Sequence, residues 1–246
     1  MAARSKRREK LHALEKQWAE AVRGFLRVRL RIDGLGHVDS GESYVVAPLH
    51  EGFADALALL TLPLDLRFVA RDELFEWPTL GRYLHDSNQV VVPTGAGRTA
   101  YRELLRRSAS VFNAGESLVL FPQGGILGIE AAFWPGAFRV AAHFGRPVLP
   151  VVLTGSHRVW EYPFSPSVRF GQTMTMLVLE PISAIELAEK AGELETEMKR
   201  LALASSVSPR HFDPEVDGYW DDYDYEIDPD FPQVAELVAR HRAGRP

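Results

Sequence analysis

Short apolar runs separated by turn residues set the pattern of this chain. Residues 44–46, 66–70, 89–93, 117–121, 147–153 and 174–179 are each strand-length and apolar at successive positions. That is how strands read when both faces of a sheet are covered. Between them, residues 56–60, 78–84, 94–112, 137–144 and 183–204 carry helical spacing, and 232–242 a last short helix. Pro78 suits a first helical turn, and Ser183 with Glu186 has the spacing of a capping box. Strands alternating with helices predict an α/β fold, one domain with a mixed, largely parallel central sheet flanked by helices.

The two ends differ from this body. Residues 1–31 hold ten Lys and Arg positions, from Arg4 to Arg31, against Glu9, Glu15 and Glu20. Leu11, Leu14, Trp18, Val22 and Phe25 recur there at spacings of three and four, an amphipathic helix with an apolar stripe. Such a helix either packs on its own domain or lies in a membrane interface with its cations at anionic headgroups. Residues 25–32 alternate apolar with Arg, the pattern of a half-buried strand. Residues 212–230 carry nine Asp and Glu and no Lys or Arg, interleaved with Tyr219, Trp220, Tyr223 and Tyr225. Those aromatics predict an ordered segment wrapped on the domain rather than disorder. An acidic tail and a basic head could also pair with each other. The expected divisions are 1–31, a basic helix; 32–205, the main domain; and 206–246, an acidic extension packed on it.

Composition narrows the function. The 246 residues carry a net charge of -5 and contain no cysteine. No nucleic-acid partner is expected, and a thiol nucleophile, disulfides and Cys-ligated metal are excluded. No apolar run approaches the roughly 20 residues of a bilayer span, and no apolar stretch follows the basic head as in a secretory signal. These features predict a cytoplasmic protein, with any membrane contact peripheral and made through residues 1–31.

Candidate chemistry collects where strands end. His50 follows the 44–46 run, and Asp55 opens the next helix. The carboxyl ends of parallel strands are where ligands bind in open α/β sheets. A His with a carboxylate in reach is a minimal general base. The spacing fits equally well a core histidine beside an acid that complements a helix dipole. The run 117–121 ends in Phe121, Pro122, Gln123, Gly124 and Gly125, where adjacent glycines let main-chain N–H groups approach a ligand. Residues 94–99 look like a phosphate loop but lack its first glycine and have Arg98 in place of lysine, which rejects a nucleotide-hydrolysing loop. Arg98, Arg102 and Arg106 share one helix face, either solvated or a ridge for an anionic partner. His85 and Asp86 resemble a metal dyad without companion histidines, so no metal is expected. His143 and His157 read as packing or surface residues.

Taken together, these stretches resemble the glycerolipid acyltransferase family, which includes lysophosphatidate acyltransferases. Its H-x-x-x-x-D motif is matched by His50 and Asp55, and its F-V-A-K-K-E-L block by Phe68 to Leu74. Its F-P-E-G-T block is similar to Phe121 to Gly125. Its F-K-x-G and V-P-V segments are similar to Phe133 to Gly136 and Leu149 to Val152. The order and spacing agree over residues 40–185. The resemblance implies transfer of a fatty acyl group from acyl-CoA or acyl-carrier protein to a lipid hydroxyl. His50 would be the general base and Asp55 its orienting acid, with no cofactor beyond the thioester co-substrate. Main-chain donors at Gly124 and Gly125 would stabilise the oxyanion.

Four positions depart from the family. Its glutamate is Gln123, its Thr-Arg after the glycine is Gly125-Ile126, and the arginine ending its second block is Thr94. Two cations that would hold a phosphomonoester are missing, with Arg71 and Arg98 as the substitutes nearest in sequence. An acceptor without a phosphomonoester is therefore expected. A serine hydrolase is excluded because no G-x-S-x-G occurs; Ser43, Ser117 and Ser156 all fail it. A thioesterase using His50 to activate water, and a non-catalytic lipid-binding protein, remain as alternatives.

Overall fold

The computed structural model describes residues 2–93, 97–221 and 225–244. Thr94, Gly95 and Ala96, on which part of the phosphate-loop comparison rests, lie outside them, as does Tyr223 of the tail. In chain order the elements are α1 (Ala2–Phe25), β1 (Arg29–Asp33), β2 (Val45–Pro48), α2 (Asp55–Leu59), β3 (Leu66–Arg71), α3 (Asp72–Phe75), α4 (Leu80–Asp86) and β4 (Val90–Val92). Then follow α5 (Gly97–Phe112), β5 (Ser117–Val119), α6 (Gly136–Phe144), β6 (Val148–Thr154), β7 (Thr173–Val178), α7 (Leu187–Leu203), α8 (Pro214–Asp217) and α9 (Pro232–Ala243).

The strands form one sheet in the order β1-β7-β6-β2-β5-β3-β4. The five from β6 to β4 are parallel, and β7 runs antiparallel to β6 with β1 parallel to β7. This is the expected mixed, largely parallel sheet. Strand β2 lies inside it, buried at every position. Its alternation divides the core: Val46 faces Ala19, Leu57 and Ala58, while Val45 and Ala47 face Leu104, Val111, Ala137 and Val140. Helices α1 and α2 therefore cover one face and α5 and α6 the other. Glycine is required at Gly34, where φ is +79° and a Cβ would stand 2.0 Å from the carbonyl oxygen of Val178.

Two boundaries differ from the sequence reading. Helix α1 continues through Phe25, so the strand expected from residue 25 begins at Arg29, after Arg27 reverses the chain at φ +54°. Ser183 does not cap α7; its hydroxyl bonds the Glu186 side chain at 2.7 Å and the helix starts one residue later.

Helix α1 packs on the domain with a face turned about 90° from the expected one. The residues it buries are His12, Glu15 and Ala19, again spaced by three and four. Three residues of the predicted stripe point outward, Leu14 51%, Trp18 58% and Phe25 72% exposed, while Val22 packs half-buried on the core. What overrides the apolar pattern is a buried ionic cluster. Arg67, on β3, donates to Glu116 at 2.8 Å. His12 lies 2.9 Å from Glu116 and 3.1 Å from Glu15, and the Tyr83 hydroxyl donates to Glu15 at 2.7 Å. Two carboxylates and one arginine leave a negative charge that a protonated His12 balances. Burial disfavours that proton, but the hydrogen bonds that Glu116 and Glu15 accept from the ring outweigh it and raise the His12 pKa.

A raised folded-state histidine pKa stabilises the fold in full below the usual value of 6.5 and ceases to do so as pH climbs through the folded value. The melting temperature is expected to fall as pH rises through that window. In His12→Ala, thermal melts across the same pH range should lose that slope.

Candidate active site

The carboxyl ends of β2, β5, β3 and β6 line one edge of the sheet, and the loop after β2 carries His50 there. The His50 Nδ1 lies 2.7 Å from Asp55 Oδ2. Asp55 is 1% exposed, whereas the His50 side chain is 20% exposed. The same Asp55 oxygen accepts the backbone N–H groups of Glu51 at 2.9 Å and Gly52 at 3.2 Å. The carboxylate is thus fixed by main chain, and it fixes the imidazole with Nδ1 as donor and Nε2 as the acceptor. The other side of the ring is held by Phe121, stacked at 3.8 Å between centroids and 21° between planes.

The turn after β5 is bolted to His50. Gln123, 1% exposed, accepts the His50 backbone N–H on Oε1 at 2.6 Å, and its Nε2 donates to the carbonyl of Gly128. An amide can accept at one end and donate at the other; an ionised glutamate cannot. The N–H of Gly124 donates to the carbonyl of Phe121 at 3.1 Å, so it is already engaged inside the turn. Pro122 is buried, and its carbonyl accepts from Trp134 at 2.8 Å. Arg71 reaches over from the end of β3, donating to the Gly124 carbonyl at 2.9 Å and lying 4.8 Å over the Trp220 ring. A Cβ on Gly125 would stand 3.6 Å from the Arg71 guanidinium. Ile126 is 3% exposed, in a cluster with Leu127, Trp220 and Tyr225. Arg98 opens α5, after the edge strand β4, which stands three strands from β2 in the sheet.

Glu51 was not singled out by sequence. It is completely buried. Its Oε2 accepts from Gly155 N at 2.6 Å and lies 3.0 Å from His157 Nδ1, while its Oε1 accepts from Arg210 N at 3.0 Å. Burial pushes its pKa up, opposed by the hydrogen bond and charge of His157. His157, read above as a packing or surface residue, is therefore half of a second His–carboxylate pair. No local signal marks this cluster, because its members lie 104 to 159 residues from Glu51. Beside it a cavity of about 450 Å³ is lined by His157, Arg158, Glu161, Arg210 and Phe212, among others. The other sequence candidate separates: the His85 ring packs on Phe75, and Asp86 pairs with Arg82.

The acyltransferase family profile matches residues 29–154, half of the chain and the part that holds His50, Asp55 and Gln123. The chain belongs to the acyltransferase family. It is 28% identical over 159 residues to a chloroplastic 1-acyl-sn-glycerol-3-phosphate acyltransferase of Arabidopsis thaliana, covering 62% of this chain and 43% of that protein. A chloroplastic 1-acyl-sn-glycerol-3-phosphate acyltransferase of Brassica napus matches at 28% over 62% of this chain and 45% of its own. The chain thus spans less than half the length of these curated relatives. The crystal structure of the 1-acyl-sn-glycerophosphate acyltransferase PlsC from Thermotoga maritima superposes with a TM-score of 0.66, covering 82% of this chain and 80% of that one. At 20% identity that likeness is one of fold. Against the family the chain is divergent, and its departures at Gln123, Gly125 and Ile126 fall at the β5 turn.

Restoring the family glutamate at that turn should weaken this protein. Gln123→Glu sets a carboxylate against the Gly128 carbonyl in a buried position, a loss of about 1–3 kcal/mol. Urea unfolding is expected to show it, with the deficit growing as pH rises and the new carboxyl ionises.

Proposed function

We propose that this protein transfers a fatty acyl group from an acyl thioester, acyl-CoA or acyl-carrier protein, to a hydroxyl of a lipid acceptor. The observation that carries the reading is the 2.7 Å contact of His50 with a buried, main-chain-held Asp55 on a partly exposed imidazole. His50 Nε2 takes the acceptor hydroxyl proton. The alkoxide oxygen forms the new bond to the thioester carbonyl carbon. The tetrahedral intermediate then collapses, the C–S bond breaks, and the imidazolium returns the proton to the thiolate. Asp55 holds the ring and stabilises the imidazolium. A thioester is already activated, so the scheme uses no enzyme nucleophile, metal or further cofactor.

Because the Gly124 N–H is engaged, Arg71 is the better candidate for meeting negative charge at this turn, alongside the Gly125 backbone. The position where the family carries an arginine is Ile126, which supports apolar packing here. An arginine there would have to leave the core to meet a ligand. This favours an acceptor without a phosphomonoester, such as a lysophospholipid diester, over the lysophosphatidate named for the relatives.

The acceptor lies in a lipid surface, and α1 offers a way to reach it. No described helix is long and apolar enough to cross a membrane. Yet Leu14, Trp18 and Phe25 face outward, and Phe25 contacts the exposed Phe170 ring at 5.4 Å. Because β1 and β7 run opposite to β6, Phe25 and Phe170 lie toward the same sheet edge as His50. Trp160 and Tyr162, in the loop joining β6 to Phe170, pack on Phe53 of the His50 loop at 5.1 and 5.9 Å.

Two measurements test this. His50→Ala is expected to lower kcat about 10²–10⁴-fold in an assay of acyl-CoA with lysophosphatidate or a lysophospholipid diester. Free fatty acid released at a rate indifferent to any acceptor would replace the transferase with a thioesterase. Replacing Trp18 and Phe25 together by Ser should weaken binding to anionic vesicles by at least about tenfold, given roughly 1.5–3 kcal/mol for burying each large apolar side chain. Unchanged co-sedimentation would remove α1 from the membrane contact.

A further inference from the structure

We propose that Glu51 and Arg210 are positioning residues of the acyl-transfer site, which makes the segment around residues 206–217 a working part of it. The inference rests on His50 being the general base. Arg210 lies well beyond residues 29–154, where the family match ends.

The His50 loop belongs to a closed circuit of contacts. The His50 backbone N–H donates to Gln123, and Gln123 donates to the carbonyl of Gly128. Gly128 sits at φ +73° so close to the next member that a Cβ would stand 2.5 Å from the Arg210 carbonyl oxygen. Arg210 N–H donates to Glu51 at 3.0 Å, and Glu51 is joined by a peptide bond to His50. The guanidinium of Arg210, 2% exposed, is itself locked. Nε donates to Glu161 at 2.7 Å, and Nη2 bonds Asp217. Between this segment and the loop after β6 lies the cavity of about 450 Å³. Packing of Val207 and Phe212 and the bonds of Arg210 together set the place of the segment.

The circuit bears on the base through the Glu51 main chain. Glu51 N donates to Asp55 Oδ2, the oxygen that holds His50. Moving Glu51 therefore moves both partners of the dyad. Its side chain keeps it still through both oxygens: one accepts from Gly155 N and lies against the His157 ring, and the other accepts from Arg210 N. A carboxyl group can accept at both ends. A glutamine would turn an NH₂ group toward one of the donors.

The test uses the full-length chain with acyl-CoA and the lysolipid acceptor that the wild type acylates. Glu51→Gln should lower kcat about 10²-fold, the scale of a misplacement near 1 Å, with KM for acyl-CoA nearly unchanged and the pH midpoint of kcat/KM displaced. Arg210→Lys keeps the charge and the backbone N–H but loses the fork. It should show a smaller loss of the same kind, and it serves if Glu51→Gln does not fold. His12→Ala, a destabilised variant at the other end of the sheet, should lose melting temperature without losing kcat. Wild-type kcat and pH midpoint in a folded Glu51→Gln or Arg210→Lys protein would overturn the inference, provided His50→Ala is inactive. A wild type that acylates neither acceptor, or a fully active His50→Ala, would overturn the reading beneath it and the inference too.

Discussion

Two carboxylates buried four residues apart govern the centre of this molecule. An ionised carboxylate in a protein interior costs several kcal/mol unless donors surround it. Asp55 meets that demand with the His50 imidazole and two backbone N–H groups. Glu51 meets it with Gly155, His157 and Arg210, drawn from a neighbouring strand end and from the C-terminal segment. The loop between β2 and α2 is thus held by the compensation of its own charges. A loop held in this way keeps an imidazole in one orientation, which a general base requires.

Elsewhere buried cations hold peripheral elements to the sheet in the same manner. Arg67 draws α1 onto β3 through Glu116 and, at 3.6 Å, Glu15. Lys199, 2% exposed, joins α7 to the tail through Asp228 and to the Ala131 carbonyl. Arg210 joins the loop after β6 to α8 through Glu161 and Asp217. Buried pairs contribute little net stability beside well-packed apolar groups of the same volume. Losing one partner, however, strands a charge. Their effect here is on placement, and the tail's acids serve it: Asp217 and Asp228 meet Arg210 and Lys199, and Asp221 meets His241 at 3.1 Å. The acidic tail pairs with its own half of the chain, while the ion pairs of α1 run to Glu116 and to Asp65.

The rotation of α1 follows from this. With a polar face committed to the ionic cluster, its apolar stripe is left outside. Exposed aromatic residues on a basic helix are costly in water and favourable at a lipid interface. One helix can therefore be fastened to its domain by charge and present apolar surface outward. The sequence reading treated the packed helix and the interfacial helix as exclusive alternatives. The structure shows packing, and the outward stripe leaves the interfacial role open to the same helix.

Local information was enough for much of this. Apolar runs of strand length alternating with helical spacing set the α/β class, because covering both faces of a parallel sheet demands that composition. His50 and Asp55 were legible because one loop carries both, and Phe121 to Gly125 because a strand ends there. The N-terminal strand boundary and the direction of α1 were misread, since periodicity counts apolar residues and cannot see a buried ion cluster whose members come from α1, β3 and the start of β5. Glu51, His157 and Arg210 were invisible for a related reason. The chain by itself determined which residues must be buried and where an imidazole and a carboxylate could meet. Tertiary structure alone decided which groups answer the buried Glu51, because they lie a hundred residues and more along the chain and only folding brings them within about 3 Å.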